Sequence, residues 1–233
     1  MIDENELEDV TGNVEFLGYN ENLHTCKYNG KTYIYKYMEN FNEKMMDRFT
    51  QLMKFNEEAF NIPSYIVGKE NIPVGCLLEP LYDYKQLFDL QEYSRNQRIK
   101  LLKIAKKRIE TMHNYGIIHF DLHPANIMFN DSNNDVKIID FDNCSINNIL
   151  PDDMYVATFI KEYIENNGIN SSVDTYMFNL DVIDIYYKIS FTCVLPFKDI
   201  VDKVITGSKP NKIWQKMKRF EKLTDDDYLI DYI

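Results

Sequence analysis

The sequence lacks the features that are typical of disulfide-rich, zinc-binding and membrane-spanning proteins. Its 233 residues include four cysteines, none in a Cys-x-x-Cys pair or beside a histidine cluster. Cysteines scattered in this way indicate reduced thiols in an intracellular protein, cytoplasmic or nuclear. The apolar runs are far too short to cross a bilayer, and the acidic start MIDENELEDV is unlike a signal peptide.

Positive charge is also in deficit. The chain has 26 Lys and Arg against 37 Asp and Glu, which gives a formal net charge of −11. A field of this sign repels nucleic acid and anionic membranes and mildly favours basic protein partners. With 45% hydrophobic and 14% aromatic residues, the composition predicts a globular chain with a sizeable core rather than a disordered one. No pattern in the sequence indicates an oligomeric state.

The first third of the chain has the pattern of a small sheet with one helix. The Asn29-Gly30 pair between alternating apolar residues predicts a tight hairpin. Apolar residues at helical spacing predict a helix over 41–55. Further strands are expected at 14–18, 65–67 and 74–78.

Beyond residue 81 the pattern turns helical. Apolar residues recur every three or four positions and predict a long helix over 95–115 that ends at Gly116; they are Ile99, Leu102, Ala105, Ile109 and Met112. The lysines along this stretch are expected on its solvated face rather than in a nucleic-acid site.

The most informative stretch is HFDLHPAN at 119–126, followed by KIIDFD at 137–142. Asp121 and Asn126 are five positions apart, and Asp140 follows 14 residues after Asn126, behind an apolar strand-like run. Phosphoryl transfer needs a positioned nucleotide, a metal and an oriented acceptor hydroxyl, and Mg²⁺ prefers oxygen ligands of these types. The spacing resembles the catalytic loop and the metal-binding Asp of eukaryotic-type protein kinases.

The resemblance implies an α+β, bilobal protein-kinase-like fold. A small antiparallel β lobe with one helix is expected over 1–80, and a larger, mainly helical lobe over 81–233, with ATP in the cleft between them. SVDTYMFNL at 172–180 is similar to the kinase helix whose Asp, here Asp174, braces the catalytic loop. The sequence at 195–210 is similar to the PPF…G…P segment that follows this helix.

The same resemblance implies a role for each residue of the catalytic loop. Asp121 is the expected catalytic base, and Asn126 and Asp140 are the expected ligands of Mg²⁺. His123 is in the place of the lysine of Ser/Thr kinases and is expected to make an auxiliary phosphate contact. These assignments imply ATP and Mg²⁺ as cofactors and a protein substrate, with basic proteins favoured by the net charge.

The nucleotide contacts are expected in the first lobe. Lys36 is in the place of the VAIK lysine, which contacts the α and β phosphates, and Gly18 is the one glycine of the expected phosphate loop. Glu79 and Leu81 are the expected hinge residues that hold adenine, and Leu78 is the expected gatekeeper. The carboxylate partner of Lys36 stays open among four residues, of which the first two rank higher: Asp47, Glu43, Glu57 and Glu58.

Three functions stay open. The first is an ATP- and Mg²⁺-dependent protein kinase, with Ser/Thr favoured over Tyr because the loop lacks the AAR insert of tyrosine kinases. The second is a small-molecule kinase of the aminoglycoside or choline kinase type, which DLHPAN and IDFD favour. The third is a pseudokinase that acts as a binding module, suggested by the single-glycine loop and by Asp142 in place of the DFG glycine. Phe120 replaces the HRD arginine, so dependence on activation-loop phosphorylation is not expected.

Overall fold

Two separately packed units make up the chain in the computed structural model, which describes residues 1–9, 22–55, 57–151, 156–189 and 198–233. Unit 1 consists of Met1–Asp83 with Ile149–Asp152, and unit 2 of Tyr84–Asn148 with Asp153–Ile233. Within the described residues, no helix is both long and apolar enough to cross a membrane.

Among its described residues, unit 1 contains a six-stranded sheet and one α-helix. Its elements are β1 (Ile2–Asp3), β2 (Glu8–Asp9), β3 (Leu23–Tyr28), β4 (Lys31–Tyr37), helix α1 (Glu43–Leu52), β5 (Tyr65–Lys69) and β6 (Ile72–Leu78). The strand order is β1-β5-β6-β4-β3-β2, and every neighbouring pair is antiparallel except the parallel pair β1 and β5. The mainly antiparallel strands and helix α1 agree with the expected α+β class.

Local sequence explains the middle of this sheet. Asn29 and Gly30 have φ values of 50° and 74° and close the β3–β4 hairpin as a two-residue turn, as predicted. Helix α1 begins after Asn42, whose side chain accepts a hydrogen bond from the Met45 N–H at 2.9 Å. It ends at Leu52, three residues before the predicted end.

The edge of the sheet was not predicted. Ile2 and Asp3 pair with Val67 and Gly68 of β5 and add an outer strand. Glu4 then accepts a hydrogen bond from the Tyr35 hydroxyl at 2.9 Å, which ties this segment to the sheet. The strand predicted at 14–18 lies outside the described residues.

Unit 2 consists of short strands and longer helices. Its elements are β7 (Lys85–Gln86), α2 (Arg95–Asn114), β8 (Ile117–Ile118), β9 (Ile127–Asn130), β10 (Asp135–Ile138), β11 (Ser145–Ile146), α3 (Thr158–Asn167), α4 (Ser172–Tyr187), α5 (Lys198–Val204) and α6 (Ser208–Lys218). The strands form two small antiparallel sheets, of order β10-β9-β7 and β11-β8.

Helix α4 is the centre of unit 2. Every residue from Ser172 to Ile185 is buried, as expected for a helix with apolar residues on all sides. Helix α2 instead has one buried face, which contains four of the five predicted residues, from Leu102 to Met112. Gly116 follows its end with a φ of 70°, as the sequence predicted. The predicted segment at 195–197 lies outside the described residues.

The chain after α6 packs into the same core. Asn179 of α4 donates through Nδ2 to the Asp227 carbonyl and accepts from the Leu229 N–H, both at 2.8 Å. Tyr228, Leu229 and Ile230 are fully buried. This final segment is therefore part of the core of unit 2.

Candidate active site

A β-hairpin brings the predicted metal ligands together. Strands β9 and β10 pair from Asn130 opposite Asp135 to Ile127 opposite Ile138, so the residues flanking the hairpin emerge side by side. The Ile139 N–H donates to the Asn126 carbonyl at 3.0 Å. Asn126 therefore lies beside the residue that precedes Asp140, although 14 positions separate the two predicted ligands in the chain.

Asn126 also ties the predicted base to this hairpin. Its side chain is 6% exposed, and Nδ2 donates to the Asp121 carbonyl at 2.9 Å and to Asp121 Oδ2 at 3.2 Å. This arrangement uses the amide nitrogen within the loop and leaves Oδ1 as the atom suited to a cation. The five residues from Asp121 to Asn126 thus form a closed loop, in which the side chain of a predicted metal ligand contacts the predicted base.

Asp121 has the environment of a general base. Burial raises the pKa of Asp121, an effect that the neighbouring side chains of His123 and His119 and the hydrogen bond from Asn126 oppose, while Asp140 adds to the rise. A raised pKa brings a carboxylate closer to neutral pH, where a base transfers protons most efficiently. His123 Nδ1 accepts from the Ala125 N–H at 3.3 Å, so Nε2 faces Asp121 Oδ1, 3.7 Å away.

His119 connects the two halves of the motif, a role that the sequence did not predict. Its Nδ1 accepts from the Asp121 N–H at 3.3 Å, and its Nε2 is 2.8 Å from the Ile139 carbonyl. The acceptor role of Nδ1 places the ring hydrogen on Nε2, so the neutral imidazole donates to Ile139. The ring also packs on Phe141, with centroids 5.1 Å apart. The His-x-Asp pattern, here His119-Phe120-Asp121, was the sequence feature that could have indicated this role.

Asp174 braces the loop from α4. Its carboxylate is 0% exposed and accepts the His119 N–H at 2.8 Å and the Phe120 N–H at 3.0 Å. Phe120 has a φ of 63°, a left-handed conformation that costs a non-glycine residue about 1–2 kcal/mol. The two hydrogen bonds from a rigid buried helix offset this strain. They hold the backbone turn that presents Asp121.

Asp140 follows β10 in a similar turn. Its φ is 64°, and the next residue, Phe141, is buried. Asp142, which is in the place of the DFG glycine, is half-buried and belongs to the short 3₁₀ helix Phe141–Asn143. The turn after β10 is therefore formed without a glycine.

The predicted phosphate contact lies in unit 1. Lys36 is half-buried on β4, opposite Cys76 of β6 and Leu23 of β3. Two of its four candidate partners, Glu43 and Asp47, have exposed side chains on α1.

The charged residue on the buried face of α1 is a cation. Arg48 is 2% exposed and donates through Nη1 to the Leu150 carbonyl at 3.4 Å. The sequence did not predict this contact, which spans 102 positions of the chain.

The predicted adenine-binding residues follow the end of β6. Leu78, its last residue, is half-buried, Glu79 is exposed, and Leu81 is half-buried. Asn61 Nδ2 donates to the Glu79 carbonyl at 3.3 Å, a contact that the sequence did not predict. Gly18 lies outside the described residues.

The donor set fits Mg²⁺. Asn126 and Asp140 offer amide and carboxylate oxygens, the hard ligands that this ion prefers. Within the described residues, no group of three or more His, Cys, Asp or Glu side chains is placed to hold a metal ion. Mg²⁺ usually takes one or two carboxylates and completes its shell with water and substrate phosphates, so a sparse protein set suits a nucleotide-bound metal.

Comparisons with known proteins agree with this geometry. The family model described as "Protein kinase domain" matches residues 26–217. Hormonally up-regulated neu tumor-associated kinase homolog B of Xenopus laevis is 34% identical over 84 residues, which are 35% of this chain and 12% of that protein. A probable serine/threonine-protein kinase kinase of Dictyostelium discoideum is 30% identical over 89 residues, 38% of this chain and 19% of that protein. The matches thus span less than a fifth of these relatives.

Solved structures show the same fold at low identity. The Cydia pomonella granulovirus kinase PK-1 superposes with a TM-score of 0.67 at 16% identity, over 96% of this chain and 92% of that chain. The yeast RNA polymerase II CTD kinase CTDK-1 complex gives 0.66 at 14% identity, over 97% and 92%. At these identities the superpositions establish the fold alone.

Proposed function

Because this chain belongs to the protein kinase domain family, we propose that it is an ATP- and Mg²⁺-dependent kinase that phosphorylates protein hydroxyl groups. The observation that carries the proposal is the closed loop of unit 2. There Asn126 contacts Asp121 through its side chain and Ile139 through its backbone. A base and two metal ligands are therefore held by one short hydrogen-bonded segment.

The proposed roles follow from the chemistry of each side chain. Asp121 accepts or orients the proton of the acceptor hydroxyl, and its raised pKa suits that task. Asn126 and Asp140 hold Mg²⁺, which neutralises developing charge on the phosphates when bound. His123 presents Nε2–H as an additional donor to a phosphoryl oxygen.

In unit 1 we assign the contacts to the nucleotide. Lys36 contacts the α and β phosphates, as a lysine on this strand does in protein kinases. Glu79 and Leu81 contact adenine through their backbones, with Leu78 as gatekeeper, and Gly18 belongs to the loop over the phosphates.

The proposed acceptor is a protein Ser or Thr hydroxyl. The Dictyostelium relative, a probable serine/threonine-protein kinase kinase, supports this preference. The net charge of −11 favours basic protein substrates through long-range attraction. A small-molecule kinase is the second candidate, and the motif DLHPAN with His123 in place of a lysine favours it.

Label transfer from γ-labelled ATP with Mg²⁺ tests the proposal, with a basic protein as acceptor. Asp121→Ala removes the base, and Asp89→Ala, an exposed aspartate of the same unit, is the matched control. We expect Asp121→Ala to lose about 10²- to 10⁴-fold in rate while it still binds ATP, and Asp89→Ala to match the parent.

The outcomes separate the candidates. Protein label that Asp121→Ala abolishes supports a protein kinase. Label that appears only in an aminoglycoside or choline acceptor supports the second candidate. Metal-dependent ATP binding without transfer to any acceptor identifies a pseudokinase and refutes the proposed activity.

A further inference from the structure

We propose that an exposed lysine stripe on α2 is a docking surface for an acidic segment of a partner protein. The lysine stripe consists of Lys100, Lys103 and Lys107, all of which are exposed. These positions are three and four residues apart, so their side chains lie on one face of the helix. The proposal goes beyond the proposed function, because it concerns a surface outside the catalytic loop and binding rather than phosphoryl transfer.

Helix α2 has a charge opposite to that of the whole protein. Its 20 residues include seven Lys and Arg and one acidic residue, Glu110, which gives the helix +6 in a chain of net charge −11. A solvated helix face usually alternates charges of opposite sign, because pairs at i and i+4 then attract each other. On α2 every exposed charged residue is a cation. This helix is therefore a local exception to the field that favours basic partners.

The other four cations of α2 have partners within unit 2. These pairs are Arg95 with the Tyr186 hydroxyl, Arg98 with the Gln91 and Tyr93 carbonyls, Lys106 with Glu110 and Asp231, and Arg108 with Asp135. The lysine stripe differs, since none of its three ammonium groups has an ion pair or a hydrogen bond within the described residues. The fold thus uses four cations of this helix and leaves the other three to solvent.

The lysine stripe does not contribute to the packing of α2. The buried residues of the helix, from Leu101 to Met112, are on the side that faces the core, and the three lysines are on the solvent side. Like charges four residues apart disfavour a helix slightly, so Lys103 and Lys107 destabilise α2 while nothing is bound. Carboxylates placed over the lysine stripe replace this repulsion with attraction.

The length of the lysine stripe fits a short acidic protein segment. The helix rises about 10 Å from Lys100 to Lys107, at about 1.5 Å per residue. In an extended segment of about four or five residues, alternate side chains point to one side and cover a similar length. Acidic residues at alternate positions of such a segment can therefore face all three lysines.

The charge of the whole chain favours this occupant over nucleic acid. A long polyanion extends beyond the lysine stripe and meets the field of a protein with a net charge of −11, which repels it. A short acidic segment ends before it reaches that field. The docking surface is therefore assigned to an acidic segment of a protein.

The test measures binding of a labelled acidic peptide to the full chain by fluorescence anisotropy, at low and at physiological ionic strength. The peptide alternates Glu and Ser, and the same peptide with Gln in place of Glu is the ligand control. A short single-stranded oligonucleotide with the same number of charges is the nucleic-acid probe.

Three variants of the full chain are compared with the parent. The stripe variant combines Lys100→Gln, Lys103→Gln and Lys107→Gln. The matched control makes the same change of charge at exposed lysines elsewhere in unit 2 and combines Lys203→Gln, Lys212→Gln and Lys222→Gln. An arginine variant of the lysine stripe keeps the three charges.

We expect the stripe variant to weaken binding of the acidic peptide by roughly 3- to 100-fold, because three exposed charge pairs are lost and each is worth a small factor. The matched control and the arginine variant should bind within about 2-fold of the parent. Added salt should weaken binding to the parent, since the charges are exposed. The thermal stability of the stripe variant should be unchanged or slightly higher, because like charges on one helix face have been removed.

Several results would overturn the proposal. One is a parent protein that does not bind the acidic peptide, or that binds the Gln peptide equally well. Another is an equal loss in the stripe variant and the matched control, because net charge and not the lysine stripe would then attract the peptide. Tighter binding of the oligonucleotide than of the peptide would assign the surface to nucleic acid. None of these measurements needs phosphate transfer, so failure of the proposed function would leave the result of this test unchanged.

Discussion

Asp181 is a core carboxylate whose removal should stabilise the protein. It lies on α4, is 5% exposed, and its Oδ2 has no hydrogen-bond partner among the described residues. Burial, and then the charge of Asp184 one turn along the helix, raises the pKa of Asp181 well above its ordinary value of 3.8. A buried polar group without a partner costs about 1–3 kcal/mol, and a charged one costs more. We therefore expect Asp181→Leu to raise the free energy of unfolding by about 1–3 kcal/mol at pH 7.

The gain should depend on pH with a definite sign. Between pH 3.8 and the raised pKa, the folded protein retains a proton at Asp181 that the unfolded chain has lost. Under that condition the free energy of unfolding falls as pH rises. The leucine variant has no such group, so its advantage over the parent should be smaller near pH 4 than near pH 7 and should grow between them.

Urea unfolding measures this effect in the unit that contains Asp181. Trp214, the single tryptophan, is 4% exposed on α6 of unit 2, so its fluorescence reports on unfolding there. Asp225→Leu, at an exposed position of the same unit, is the control and should change the free energy by no more than about 0.5 kcal/mol. A loss of stability in Asp181→Leu, or a gain that is equal at pH 4 and pH 7, would refute the reasoning.

Two further predictions concern the proposed metal ligand Asp140 and the final segment. Asp140→Asn removes a charge from the metal site and should weaken the apparent affinity for Mg²⁺ in the transfer assay by more than about 10-fold; an unchanged Mg²⁺ titration would remove Asp140 from the ligand set. Asn179→Leu leaves the Asp227 carbonyl and the Leu229 N–H unpaired in the core, so it should lower the free energy of unfolding in urea by about 2–4 kcal/mol. A loss below about 0.5 kcal/mol would contradict the stabilising role of these two hydrogen bonds.

Features that depend on neighbours in the chain could be predicted from the sequence. The Asn29-Gly30 hairpin is present because only a few residue pairs accept two consecutive left-handed conformations. The meeting of Asn126 with the segment before Asp140 follows from one short hairpin. The hydrogen bonds between Asp174 and the catalytic loop join residues 54 and 55 positions apart. They could still be predicted, because the motif around Asp174 resembles the kinase helix whose Asp is known to brace this loop.

Other features required the tertiary structure. Strand β1 has only two residues, too few for any periodicity, and its partner β5 is more than 60 positions away. The sequence ranked Asp47 and Glu43 first among the candidate carboxylate partners of Lys36; in the structure both side chains are exposed, and the buried charged residue of α1 is Arg48. A ten-residue helix with several charged residues can be rotated to present any of them, and packing decides between them.

The sequence by itself determined the family, the spacing of the predicted base and the predicted metal ligands, and the local turns that hold them. The tertiary structure alone decided which buried charges are satisfied. Asp174, Asp181 and Asp184 are all on α4 and all buried, yet Asp174 receives three hydrogen bonds, Asp184 one from Gln91, and Asp181 none at Oδ2 among the described residues. Their residue type is identical, and only donors brought from distant parts of the chain distinguish a structural brace from a destabilising buried carboxyl group.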